Sequence, residues 1–271
     1  MATRSASSLP FLPASLRAAL VGTLLFLAQA AMAADRPAKL VLCHENQDSY
    51  PWIMTDRPGL NILLLKLLER DLKLPVEFVP LPWKRCLAEL AAGRVDGAFA
   101  ASFKADRLAM GRYPGAARDT PDPAKRLHGS SYSLYRLKGG NLDWDGSAFH
   151  NLSGPVGILS GFSIQDFLLE RGVQVDEGTG SPERTLRKLE AGRIQGAALQ
   201  TRRADHLLQH PELAARIERL PVPLEDRPYY LMLSFDLVRG HPALAEDIWN
   251  RVARLRDSGE FRQIERDFYN N

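Results

Sequence analysis

One stretch of this chain occurs twice. Leu87-Ala-Glu-Leu-Ala-Ala-Gly-Arg-Val-Asp-Gly-Ala98 returns as Leu186-Arg-Lys-Leu-Glu-Ala-Gly-Arg-Ile-Gln-Gly-Ala197. Leu87, Leu90, Ala92, Gly93, Arg94, Gly97 and Ala98 each recur 99 residues later, and Val95 becomes Ile194. Each copy reads as the last turns of a helix, a glycine that stops it in the left-handed conformation, and the start of an apolar strand. Any helix–glycine–strand junction has these ingredients, but a second copy this far away fits two similar lobes better than one continuous domain. A solenoid would need three or more copies at a period of about 20–50 residues.

The chain around each copy alternates short apolar strands with helical segments. Strands are expected at 39–43, 76–80 and 95–101, with helices at 60–72 and from Pro82 in its first turn to 92. Proline suits that first turn because the N–H it lacks has no partner there. The second series runs as a strand at 155–159, a helix from Ser163 to 170, a strand at 173–176 and a helix at 181–191, with Ser181 as cap and Pro182 in its first turn. A strand at 196–199 and a helix at 204–210 follow. The proline-rich 221–228 reads as non-helical, leading into a strand at 229–237 and closing helices at 243–256 and 260–269. Such alternation builds an α/β fold with a largely parallel sheet covered on both faces.

The N-terminus sets the compartment. Arg4 and Arg17 precede an uncharged apolar run, 18–30, and Ala31-Met32-Ala33 offers small residues where a signal peptidase cuts. The run is shorter than the ~20 apolar residues a membrane-spanning helix needs. Residues 1–33 therefore read as a signal peptide and the mature chain as periplasmic. Removing them leaves 33 basic against 32 acidic residues, a net charge of +1, with no basic concentration of the kind nucleic-acid partners require. Cys43 and Cys86 are the only cysteines. In an oxidising compartment such a pair reads as a disulfide, and no C-x-x-C supports a metal site.

A family resemblance rests on the order of weaker motifs. Tyr50-Pro51-Trp52, Gly59, then Trp83, Leu87, Leu90, Gly93-Arg94 and Asp96-Gly97 resemble the periplasmic solute-binding proteins of polar-amino-acid ABC importers (solute-binding family 3). So do Asp106-Arg107, Gly157, Gly161-Phe162-Ser163, Tyr229-Tyr230, His241-Pro242 and Ser258-Gly259. The resemblance covers nearly all of 37–271. It implies the type 2 clamshell: two lobes, 37–130 with 234–271 and 131–233, of mixed sheet covered by helices and joined by two crossover hinge segments near 132–137 and 229–234. It also implies a monomer without cofactor or catalysis, which binds a small, amino-acid-like solute and serves the permease of an ABC importer. Sensing through a membrane receptor is the alternative use of the same clamshell, and a dehydratase on this fold the remaining one.

The expected ligand-binding residues follow from position and chemistry. Arg107 lies just beyond a strand end, where open α/β sheets place their crevices, and its planar fork suits a carboxylate. Ser163 opens a helix and serves either as a plain cap or, with the amides of Gly161 and Phe162, as a donor to the ligand. Ser102 directly follows the expected strand and precedes Arg107. Tyr50, Trp52, Trp83 and Phe103 are candidate walls for the ligand's apolar part, with Trp52 and Phe103 the favoured two, although core packing is the default for any one aromatic. Glu45 and Asp48 follow the first strand and either meet a ligand ammonium or lie in a solvated loop. Gln200 stands where the resembled family carries an aspartate for the ligand's ammonium, and a neutral amide does not balance a buried positive charge. His206 and His210 lie one helical turn apart with no third metal ligand nearby in sequence. The mature protein is expected to begin at Ala34, and N-terminal sequencing of the exported protein reads this directly.

Overall fold

The computed structural model describes residues 36–115 and 120–270. The expected signal peptide lies outside the described residues.

The first half is a strand–helix–strand–helix–strand unit. β1 (Leu40–Glu45), α1 (Leu60–Leu72), β2 (Val76–Leu81), α2 (Trp83–Ala91) and β3 (Gly97–Ser102) follow in order, with β1 parallel to both β2 and β3. α1 forms because Leu60, Leu64, Leu65, Leu67, Leu68 and Leu72 recur at helical spacing and all bury. It stops at Lys73, which takes the left-handed conformation and sends its N–H back to the Arg70 carbonyl. Pro82 caps α2 from outside rather than occupying its first turn.

The second half repeats this plan. β7 (Val156–Leu159), α3 (Ile164–Leu169), β8 (Val175–Thr179), α4 (Pro182–Glu190) and β9 (Gly196–Gln200) place β7 parallel to both β8 and β9. Ser181 accepts a hydrogen bond from the Arg184 amide and Pro182 occupies the first turn. The duplicated stretch maps onto α2–β3 and α4–β9. Its helix-ending glycines have φ of 67° at Gly93 and 68° at Gly192, a region that glycine alone enters without strain.

Two strands bind the halves together. β4 (His128–Leu137) and β10 (Ile217–Leu233) lie at the middle of one eight-stranded sheet of order β2-β1-β3-β10-β4-β9-β7-β8. β10 pairs antiparallel with β4 from Ile217 to Tyr229 and with β3 from Tyr229 to Leu233. This corrects the expected strand at 229–237. The strand starts at Ile217, runs through Pro221, Pro223 and Pro228, and ends at Leu233. Prolines lack the ladder N–H and are tolerated at irregularities, and the β10–β4 register shifts between Arg219 and Pro223 and again before Glu225. Beyond Leu233, Ser234 caps a short helix at Phe235–Gly240 by accepting from the Leu237 amide at 3.1 Å.

The remaining elements are a small hairpin of β5 (Asp143–Trp144) and β6 (Phe149–His150), and the helices α5 (Thr201–Leu207), α6 (Pro211–Ala214), α7 (Phe235–Gly240), α8 (Pro242–Arg256) and α9 (Gly259–Asn270). α1, α8 and α9 cover one face of the first half through Leu64, Leu68, Trp249, Val252 and Phe261. α2 covers the other through Trp83, Leu87 and Leu90. Tyr132, Trp144, Ile158 and Phe167 on one side, and Leu186, Leu189, Ile194 and Leu199 on the other, form the cores of the second half.

Cys43 in β1 and Cys86 in α2 form a disulfide between fully buried residues with Cα atoms 5.6 Å apart. A loop of this length contributes up to about 4 kcal/mol by restricting the unfolded chain. A Cys43→Ala/Cys86→Ala protein is expected to lose stability toward that ceiling in urea unfolding, while thiol titration of denatured, unreduced wild type finds no free thiol.

Candidate functional site

The carboxyl ends of β1, β3, β7 and β9 point toward one another, two from each half, and a buried cavity lies among them. Glu45 ends β1, Ser102 ends β3, Gln200 ends β9, and Phe162 and Ser163 follow β7; all line the cavity. Room for a water-sized sphere's centre amounts to about 20 Å³, enough for one or two waters. The walls are therefore close together, and direct contacts between the halves explain why.

Arg107 makes the chief of these contacts. It sits in a short 3-10 turn, Ala105–Ala109, directly after β3 and is 2% exposed. Its Nη1 donates to the Ser102 carbonyl at 2.6 Å and its Nη2 to the Gly161 carbonyl at 2.7 Å, so one guanidinium spans both halves. The Trp83 ring lies 5.3 Å from its Cζ. Tyr113 adds a hydroxyl donor to the same Ser102 carbonyl at 2.7 Å. Beside them the hydroxyls of Ser102 and Ser163 meet at 2.8 Å. Ser163 makes no capping bond: its backbone is already helical, with φ −72° and ψ −15°, and its side chain is committed across the cavity instead.

Gly161 is held at φ +78°, and a Cβ there would lie 3.1 Å from the Lys84 side chain. Only glycine brings this turn so close to α2 without strain. Glu177 fixes it by accepting from the Gly161 amide at 2.6 Å, and Lys84 reaches across to the same Glu177 at 2.9 Å. Lys104 similarly lies 3.3 Å from Asp166.

At the other side of the cavity, Gln200 donates from Nε2 to the Tyr229 hydroxyl at 2.9 Å and accepts from Ser49 at 3.4 Å. His128 is stacked between Trp52, at 3.9 Å between ring centroids, and Tyr229, at 4.9 Å. Its Nδ1 lies 3.0 Å from the Asn61 amide oxygen. Burial, reinforced by Arg202, holds the His128 pKa well below the usual histidine range. The ring is therefore neutral, with one nitrogen a donor and the other an acceptor. Burial also raises the Glu45 carboxyl, against the opposing pull of Arg203 and neighbouring backbone amides. Ala100, also on the wall, has φ 59° within β3, opposite the register shift in β10 at Tyr230–Met232. A left-handed alanine in a strand costs about 1–3 kcal/mol and marks a locally imposed geometry.

Of the residues expected from sequence, Glu45, Trp83, Ser102, Arg107, Phe162, Ser163 and Gln200 line the cavity. Four do not. Trp52 backs His128 from the core, Phe103 packs on Tyr113 at 5.5 Å, Gly161 contributes its carbonyl to Arg107, and Tyr50 lies in an outer groove stacked on His206 at 4.3 Å. Sequence reasoning missed Ser49, Ile53, Phe99, Ala100, His128, Arg203 and Tyr229 as wall residues. A signal existed for Arg203, because the 99-residue offset of the repeat carries Lys104 onto it. The helix expected from 204 in fact starts at Thr201, which moves Arg203 from a loop into its buried first turn.

No protein-family model matches this chain, and no curated protein matches its sequence. Solved structures do. A histidine kinase sensor domain with similarity to periplasmic binding proteins aligns with TM-score 0.71 and 18% identity over 86% of this chain and 97% of its own. An ancestral arginine-binding protein bound to glutamine gives 0.67 and 16% over 87% and 100%. The GluR0 ligand-binding core of Nostoc punctiforme, in complex with L-glutamate, gives 0.66 and 13% over 86% and 100%. Repeated α/β halves, a shared pair of central strands and these likenesses make the chain's fold the two-lobed, type 2 fold of the polar-amino-acid-binding periplasmic proteins.

Proposed function

We propose that this chain is an exported binding protein that captures a small polar solute bearing a carboxylate between its two lobes. The lobes are 37–130 with 234–271, and 131–233, and they swing on the paired central strands. The observation that carries this reading is the convergence of four strand ends, two from each half, on one buried cavity with Arg107 at its wall. The cavity as it stands has room for only one or two waters, so the lobes close less far on a solute than they do here; a ligand held between them still touches both at once, which gives it a reason to favour a closed arrangement. Arg107 has five N–H donors, of which the Ser102 and Gly161 carbonyls receive two, and those left over lie beside the Ser102 and Ser163 hydroxyls, a combination suited to a carboxylate.

Delivery to the permease of an ABC importer follows from the sequence resemblance. A second reading, in which the occupied clamshell is read by a membrane sensor, is favoured by the likeness to a histidine kinase sensor domain. Both uses need the same capture step and neither needs catalysis.

Capture is tested at Arg107. Calorimetry with a bound carboxylate should show that Arg107→Ala weakens it by about 2–5 kcal/mol, as when one partner of a buried charge pair is removed. Arg107→Lys keeps the charge but not the fork and should also bind more weakly than wild type. An Arg107→Ala protein that folds and binds within twofold of wild type removes Arg107 from the site.

A further inference from the structure

A second guanidinium shares this cavity, and it is unbonded. Arg203 stands in the first turn of α5, directly after the β9 strand end, and is 3% exposed. Its Nε, Nη1 and Nη2 are all buried without a hydrogen-bond partner. Among the described residues it is the only cationic side chain in that condition. The Phe162 ring lies 5.8 Å from its Cζ, much as Trp83 backs Arg107. Leaving five N–H donors of a buried cation unmet costs several kcal/mol, so a fold that holds them there is shaped to bring them an acceptor.

Nothing in the walls supplies that acceptor. Glu45 is the one carboxylate lining the cavity, and it attracts Arg203 through space without hydrogen-bonding to it. Asp48 also attracts it, but its carboxylate is exposed and accepts from the Thr55 amide at 2.6 Å. Gln200 is engaged with Ser49 and Tyr229, and His128 is neutral. The walls thus carry two buried guanidiniums against a single carboxylate that burial biases toward its neutral form. A ligand ammonium would be a third cation in a site already short of anions. An organic acid with a second anionic group would instead meet both guanidiniums. Arg203 also borders an outer groove of about 390 Å³ that Asp48, Tyr50, Ser181 and His206 line with it.

We infer that Arg203 is a second anion-reading residue, and that the captured solute is a small dicarboxylate without an ammonium group, one carboxylate meeting Arg107 and the other Arg203. This rests on the capture reading and narrows its ligand class. It also assigns the second lobe the role of reading negative charge.

The test is calorimetry of the full mature chain with succinate, glutarate, 2-oxoglutarate, L-glutamate and L-glutamine. At least one of the three dicarboxylates lacking an ammonium should bind wild type at least about tenfold more tightly than either amino acid. Arg203→Gln should weaken that ligand by about a hundredfold. The same variant without ligand should melt at or above the wild-type temperature, because it removes an uncompensated buried charge; a residue that merely supports the fold would lower it. L-glutamine or L-glutamate binding more tightly than every dicarboxylate overturns the inference and leaves capture standing. So does dicarboxylate binding by Arg203→Gln within twofold of wild type. Binding of no probe at all overturns the capture reading together with this one. Should Arg203→Gln fail to fold, the ranking of the five probes on wild type decides alone.

Discussion

The rest of the structure depends on the hydrogen-bonded pairing of β10. One strand, Ile217–Leu233, is antiparallel to β4 along most of its length and to β3 along its last residues, so two separately built α/β halves share one sheet. Tyr229 is the residue at which it changes partner, opposite His128 on one side and Ser102 on the other. The same residue closes the ring stack on His128 and receives the Gln200 amide. The covalent path between the halves and the floor of the cavity are therefore the same few residues. A change in the angle between halves acts on the site without passing through either core. Each core is complete in itself, with Leu64, Leu68 and Trp249 on one side and Leu186, Leu189 and Ile194 on the other.

What brings the halves together is of a different kind from what builds each half. The contacts across the gap are polar: Arg107 to the Gly161 carbonyl, Ser102 to Ser163, Lys84 to Glu177 and Lys104 to Asp166. Lys84 is well exposed and Glu177 partly so, and an ion pair of that sort is worth about 0–1 kcal/mol. Phe162, packed against cores of both halves, is the main apolar contribution. Polar contacts of this strength are exchanged for water at small net cost, whereas reopening a leucine core would not be. The division between an apolar interior in each half and a polar seam between them is what the proposed hinge motion requires.

Much of the fold was legible because its signals are local. Helical leucine spacing located α1 to the residue, the repeated Gly-Arg junction marked both places where a helix hands over to an inner strand, and the two cysteines paired. The long central strand was not legible. Its Pro221, Pro223 and Pro228 argue locally against a strand, and only the tertiary setting overrides them, with register shifts around Pro221 and Pro223. The site was legible where a residue ends a strand, as at Glu45, Ser102 and Gln200. It was not legible where tertiary packing decides direction. Trp52 and Phe103 sit beside the expected crevice in sequence, yet each turns into packing against another ring, while His128, far from any motif, is drawn into the wall by its stack. Arg203 was hidden by a three-residue error in where a helix begins, which is enough to exchange a solvated loop for a buried first turn.

In the proposed capture reading, Arg203 also links the electrostatics to the closure of the two halves. Its burial is produced jointly, since its own half supplies the helix and Phe162 while Glu45 and Ser49 of the other half complete the same cavity. Separating the halves would return the guanidinium to water, so its desolvation is a cost borne by the closed arrangement alone. A buried charge without hydrogen bonds opposes closure by several kcal/mol, whereas the same charge meeting an anion in a dry site gains a charge-assisted pair. The difference between these two situations is a free energy that only an anionic ligand supplies, and it appears wholly in the closed state. That is the condition under which a ligand shifts a two-state equilibrium instead of binding both states alike. Arg107 contributes less to this difference, because the Ser102 and Gly161 carbonyls already receive its donors. Arg107 joins the two halves through backbone carbonyls; in the proposed reading, Arg203 makes their closure conditional on charge.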